Sequence, residues 1–325
     1  MKLKSFAIAL LGLGLSIVVL ELGLRLIFGF GNPPLSQADD KTGYRFQPNQ
    51  KLFRFGKYIE INQYSQRNPP ISALKPPNTR RILMIGDSVL NGGVQTDQAD
   101  TVTERFRDRL GESIEVLNAS AGSWGIENRI GYLREFGAFQ SDVIIFQIGS
   151  SDLIQRTSTG NVVGRDPSFP NQRPWSAIGE LWSRYLSRRL VRRALIPPAY
   201  AEARSPEDKA AWFARNRQSF SNEVRSLRTT PETKNIPIIV LYTPYQNEVL
   251  PTPQPPLYKA EFFALLKQLK IPVVDVHQAW SSIPVEQKSE YFADEIHLSE
   301  TGNQAVADLL VQQLCIQAKS TWCKP

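Results

Sequence analysis

The chain has 325 residues, 42% of them hydrophobic and 21% charged, with a formal net charge of +7. That length supports one large domain or two small ones, and the composition excludes a disordered or fibrous polymer. The positive excess suits anionic neighbours such as lipid headgroups or acidic polysaccharide. No nucleic-acid module motif is visible, so no nucleic-acid partner is expected.

Lys2 and Lys4 precede an apolar run from Phe6 to Leu20, then Glu21, Arg25 and further apolar residues to Phe30. About 20 apolar residues span a bilayer, and Glu21 and Arg25, four apart, can pair on one helix face. No Ala-x-Ala cleavage site and no lipid-accepting cysteine follows. Residues 1–30 are therefore expected to be an uncleaved signal-anchor rather than a cleaved signal. A buried soluble helix is the plain alternative, and the terminal position with basic flanks argues against it. The leading lysines put the N-terminus in the cytoplasm. The expected location is the cell inner membrane, with the remaining chain facing the periplasm or extracytoplasmic space.

Residues 31–78 are rich in Pro, Asn, Gln and Ser, with scattered aromatics from Tyr44 to Tyr64. They read as a stalk and irregular lead-in to a domain over 79–325. Regular alternation then begins. Strands are expected at Arg81–Ile85, Ile114–Leu117, Val143–Ile148, Ile236–Tyr242 and Ile271–Val274. Thr101-Val102-Thr103-Glu104 is a capping box opening a helix over Val102–Leu110. Helical periodicity also marks Glu127–Phe136, Pro206–Leu227, Lys259–Leu269 and Ser299–Ile316. Strands alternating with helices predict an α/β, doubly wound parallel sheet.

The segment 153–204 exceeds a minimal crossover. Within it, Ile178–Leu195 carries Leu181, Trp182, Tyr185 and Leu186 on one side and Arg184, Arg188, Arg189, Arg192 and Arg193 on the other. Such a basic amphipathic helix either packs its apolar stripe on the core or lies on an anionic membrane.

Four short blocks carry chemistry. Gly86-Asp87-Ser88 follows the first strand. Asn118 to Gly125, including Gly122 and Ser123, follows the second. Gly149-Ser150-Ser151-Asp152 follows the third, and Asp294-Glu295-Ile296-His297 precedes the last helix. A serine at a strand end becomes a nucleophile only when a base takes its proton and a third group orients that base. His297 has Asp294 three residues before it, so the two can converge on one partner. Two scattered histidines and two tail cysteines do not make a zinc set, and no metal or cofactor is expected. Cys315 and Cys323 are open to two readings, a tail disulfide in an oxidising compartment or two free thiols.

The order and placement of these blocks resemble the SGNH (GDSL-type) hydrolase family over residues 80–315. The resemblance implies a three-layer α/β/α sandwich with a five-stranded parallel sheet, flavodoxin-like in outline. It implies Ser88 as nucleophile, His297 as general base and Asp294 as its orienter. The Ser88 N–H, with donors from the second and third blocks, would stabilise an oxyanion. Gly122, Ser123, Ser151 and Asp87 are the residues expected on the oxyanion and binding side. Two blocks depart from the family pattern. Ser151 stands where an asparagine amide usually donates, and Ser123 stands where the glycine usually falls, with Gly122 one position early.

Rival readings exist. Ala121-Gly122-Ser123-Trp124-Gly125 imitates a nucleophile elbow with Ser123 at its centre, although Asp294 and His297 are too close together for that fold. His277, after Val273-Val274-Asp275, could be called a second base. For activity, the expectation is hydrolysis of acyl esters, O-acetyl or lipid, with an acylated small molecule, lipid or envelope polysaccharide as substrate. An O-acyltransferase using the same acyl-enzyme, and a non-catalytic binding or assembly module motivated by Ser151, are the alternatives.

Overall fold

A computed structural model describes residues 2–187, 205–250 and 252–317. The N-terminal helix α1 (Lys2–Phe28) holds its apolar side chains outward over most of its length: Leu11 is 74% exposed and Ile8 69%. Its 25-residue stretch Lys4–Phe28, with a mean hydropathy of 2.3 over an 18-residue window, is long and apolar enough to cross a bilayer.

Two antiparallel hairpins follow where the sequence suggested an irregular stalk. β1 (Ser36–Asp39) pairs with β2 (Gly43–Phe46), and β3 (Gln50–Arg54) pairs with β4 (Lys57–Ile61). The second turn explains why they are hard to read. Phe55 and Gly56, at φ 50° and 77°, have the positive φ pair of a type I′ turn. Asn or Asp usually announces such a turn. Here a phenylalanine takes that strained position because its ring packs edge-on against Phe30 and Tyr185.

The central sheet has five parallel strands: β5 (Arg80–Gly86), β6 (Ile114–Ser120), β7 (Val143–Gly149), β8 (Ile238–Thr243) and β9 (Val273–Asp275), in the order β6-β5-β7-β8-β9. The helices, in chain order, are α2 (Ser88–Asn91), α3 (Val102–Leu110), α4 (Ile126–Phe136), α5 (Ala177–Glu180), α6 (Pro206–Thr229), α7 (Gln246–Val249), α8 (Lys259–Gln268), α9 (Val276–Ser281), α10 (Val285–Ser289) and α11 (Glu300–Gln317).

Side chains alternate across each strand, so the sheet buries two faces. Leu83, Ile85, Phe146 and Val240 meet α4, α6 and α8, while Ile82, Met84, Ile145 and Leu241 meet α3, α9 and α11. The result is a three-layer α/β/α sandwich. Because α3 and α4 lie on opposite faces, the carboxyl ends of β5 and its neighbours form a switch point, where open α/β sheets bind ligands.

The basic insertion begins as expected and then changes pitch. α5 runs on into a π-helical turn, Leu181–Leu186, and the rest of the basic helix lies outside the described residues. Its visible part docks against the end of α1. Leu24, Phe30 and Ala177 form a small apolar cluster with Ile178, Leu181 and Tyr185 around it. Beneath it, Arg54 and Glu180 make an ion pair, 0% and 3% exposed.

Candidate active site

Ser88 is held by what surrounds the end of β5. Gly86 must be glycine, since a Cβ there would stand 2.5 Å from Gln147 Oε1 and 2.8 Å from Leu90 Cβ. The Asp87 N–H donates to Gln147 Oε1 at 3.0 Å, and Gln147 in turn donates to Thr243 Oγ1. Asp87 caps α2, its carboxylate accepting from the Val89 N–H at 2.8 Å. Its other oxygen is 3.2 Å from Arg129, which also pairs with Asp152 at 2.6 Å. Asp87 thus turns towards Arg129 and the start of α2, and it does not border the cavity of Ser88. Burial raises the Asp152 carboxyl above its usual range, against the pull of Arg129, with the Asp87 charge adding to the rise.

The residues expected as base and orienter, His297 and Asp294, come from the loop before α11. Asp294 Oδ1 accepts from the Ile296 and His297 N–H groups at 2.8 and 2.7 Å, and Oδ2 lies 2.8 Å from His297 Nδ1. Burial opposes ionisation of Asp294, but these hydrogen bonds from His297 and Ile296 outweigh it and hold the carboxyl below its ordinary range. Nε2 of His297 has no protein partner among the described residues.

Ser88 and His297 border one cavity of about 250 Å³. No hydrogen bond joins their side chains; catalytic contacts of this kind commonly tighten in the substrate complex. Gly122 borders the same cavity, and neither the Ser88 nor the Gly122 N–H has a protein acceptor among the described residues. The remaining wall is largely apolar, with Phe46, Ile59, Ile61 and Val94. Arg67 adds a buried cation. Its guanidinium donates to the carbonyls of Asn91, Gly93 and Thr96, and burial pushes it down to about 10.

The other expected residues sit differently. Ser123 adopts a left-handed backbone, φ 60°, the conformation the family glycine would take without strain. Its carbonyl accepts from Gln155 and Ser158, and its side chain is not on the cavity wall. Ser151 opens a short 3-10 turn and does not border the cavity either. Ser150 is the buried one, donating to Glu248 at 2.8 Å. His277 is held by Lys259 at Nδ1 and by the Glu248 carbonyl at Nε2; burial and the Lys259 charge lower its pKa. It does not border the cavity of Ser88 and His297.

Sequence reasoning missed Tyr44, Arg129 and Gln147. Gln147 leaves a trace, since it interrupts the apolar run of β7. Arg129 leaves another, lying on the buried face of α4 between Ile126 and Ile130. Tyr44 leaves none, because the hairpin that carries it was not legible.

The family model for GDSL-like lipases and acylhydrolases matches residues 84–305. The chain belongs to that family. It is therefore an esterase of the SGNH type, and the match includes Ser88, Asp294 and His297 while leaving out the anchor and both hairpins. Comparison with curated proteins finds no match.

Similar solved structures include a lipase/acylhydrolase from Enterococcus faecalis, at 15% identity and a TM-score of 0.45, covering 74% of this chain and 97% of that one. A carbohydrate acetylesterase from Sinorhizobium meliloti, at 12% and 0.42, covers 74% and 100%. An aryl esterase from M. smegmatis, at 17% and 0.42, covers 73% and 98%.

Proposed function

We propose that this esterase cleaves acyl esters through a Ser88 acyl-enzyme, with His297 as general base and then acid, and Asp294 as the group that orients the imidazole. One observation carries the reading: the Ser88 hydroxyl and an imidazole already paired to a carboxylate border the same cavity. In the first step Ser88 Oγ bonds to the acyl carbon, its proton passes to His297 Nε2, and the carbonyl electron pair moves onto oxygen. Collapse expels the alcohol, protonated by His297, and water attacks the acyl-enzyme in the same way. The free Ser88 and Gly122 N–H groups supply two oxyanion donors.

The apolar wall suits an acyl group, and the setting suits an O-acylated envelope polysaccharide or lipid ester. α1 acts as an uncleaved anchor in this reading, because its last turns belong to the domain. Glu21 accepts from the Ala177 and Ile178 N–H groups, capping α5, and Arg25 donates to the Trp175 carbonyl. Trp175, 95% exposed beside that junction, suits the headgroup layer. Cys315 is disulfide-bonded, which favours an oxidising, extracytoplasmic side. Cys323 lies outside the described residues.

Labelling of the full-length, detergent-solubilised protein with a fluorophosphonate tests the chemistry. Ser88→Ala should abolish labelling and p-nitrophenyl acetate turnover while leaving the fold intact. Undiminished labelling of that variant, or none of the folded wild type, would overturn the assignment.

A further inference from the structure

Losing the family asparagine leaves this oxyanion site one donor short, and the structure shows what stands nearby. Tyr44, on β2, is 1% exposed, and its hydroxyl is buried without a hydrogen-bond partner. A buried, unpaired hydroxyl is costly, so a fold that keeps one points to a partner that arrives later. Tyr44 borders the cavity shared by Ser88, Gly122 and His297.

Its position is defined by the space beside Gly122. A methyl group built on Gly122 would meet only two heavy atoms within 4 Å, the Tyr44 hydroxyl oxygen at 3.7 Å and Ser88 Cβ at 3.9 Å. The phenol hydroxyl and the Ser88 side chain therefore stand at the same corner of the cavity as Gly122. The ring is rigidly set. It packs edge-on against Phe169 at 4.8 Å, and the Tyr44 carbonyl accepts from Trp124 Nε1 at 2.7 Å.

We propose that the Tyr44 hydroxyl is the third oxyanion donor of this esterase, taking the role expected of Ser151, which does not border the cavity. The inference rests on the Ser88 acyl-enzyme reading. When Ser88 Oγ bonds to the acyl carbon, the former carbonyl oxygen accepts from the Ser88 N–H, the Gly122 N–H and Tyr44 Oη–H. The phenol keeps its proton throughout, because burial and then the nearby Asp87 charge raise its pKa. The consequence is that the N-terminal hairpin, outside the matched family region, completes the catalytic site.

Tyr44→Phe, made in the full-length protein, removes the hydroxyl and keeps the ring. The expected result is a loss of about 10²-fold in kcat with KM unchanged, and a similar slowing of fluorophosphonate labelling, whose transition state uses the same donors. The melting temperature should hold or rise, since an unpaired buried hydroxyl has been removed. A variant that turns over and labels at the wild-type rate overturns the proposal and leaves the Ser88 reading intact. A fall in melting temperature that tracks the lost activity overturns it as well, by making the hydroxyl structural. Absence of labelling in the wild type instead removes the acyl-enzyme reading and this proposal with it.

Discussion

Arg129 Nη2 lies 2.6 Å from Asp152 Oδ1, and the two side chains are 1% and 0% exposed. On its other side the same guanidinium reaches Asp87, the residue before Ser88. It also donates to the carbonyls of Gln147 and Trp124. One buried cation therefore ties together the ends of β5 and β7 and the loop after β6, the three places from which the site is built.

Removing that cation leaves two carboxylates without compensation. Arg129→Met should cost about 3–5 kcal/mol of stability, the penalty for breaking a buried ion pair from one side. Denaturant midpoints measure it. A loss below about 1 kcal/mol would mean that Asp87 and Asp152 find other partners.

Gly122 offers a sharper test of the site's shape. An added Cβ makes only ordinary contacts there, and Gly122 is not among the glycines with positive φ. Gly122→Ala should therefore fold as well as wild type, or be stabilised by up to about 1 kcal/mol through a less flexible unfolded chain. Its methyl would stand between Ser88 and the Tyr44 hydroxyl's end of the cavity and crowd the tetrahedral intermediate, so kcat should fall by about 10²-fold or more. Full activity in this variant would move the oxyanion elsewhere.

Asp294 links activity to pH-dependent stability. Asp294→Asn should lower kcat by up to about 10⁴-fold, because an amide no longer selects the imidazole tautomer. The folded-state pKa of Asp294 is depressed, so its stabilising contribution is present above the unfolded value of about 3.9 and is lost as pH falls through the lower folded value. Melting temperatures from pH 3 to 7 should show wild type above the variant at neutral pH, with the gap closing in acid. That gap corresponds to no more than about 1 kcal/mol, since the Asp294 side chain is 51% exposed. A gap that widens in acid would contradict the sign.

Trp175 reports where the bilayer lies. In proteoliposomes carrying phospholipid brominated near the headgroup, wild-type tryptophan emission should be quenched more than that of Trp175→Phe. Equal quenching would take Trp175, and with it the junction between α1 and α5, out of the interface.

Legibility followed the range of the interactions involved. The helix at Val102–Leu110 was readable because Thr101 caps it, its hydroxyl accepting from the Glu104 N–H at 3.3 Å. The five strands were readable because a strand buried on both faces is a continuous apolar run. The hairpins at 36–61 were not. Their strands are short, their outward positions are mixed, and Phe55 hides the turn. The change to π pitch at Leu181 also has no signal in the apolar pattern, since it arises where the segment packs on Phe30 and Phe55.

By itself the sequence determined the layered α/β fold, the family, and the Asp294–His297 pair, because each depends on residues a few positions apart or on strand-length apolar runs. Only the tertiary structure decided which groups share a cavity with Ser88. It brought in Gly122 and Tyr44, left Ser123 and Ser151 off the wall, and turned Asp87 inward towards Arg129. The physical reason is that such neighbours are selected by sheet register, by the burial of charge, and by the packing of a hairpin whose own turn is strained. These free energies come from contacts between distant segments, and no local pattern of residue types records them.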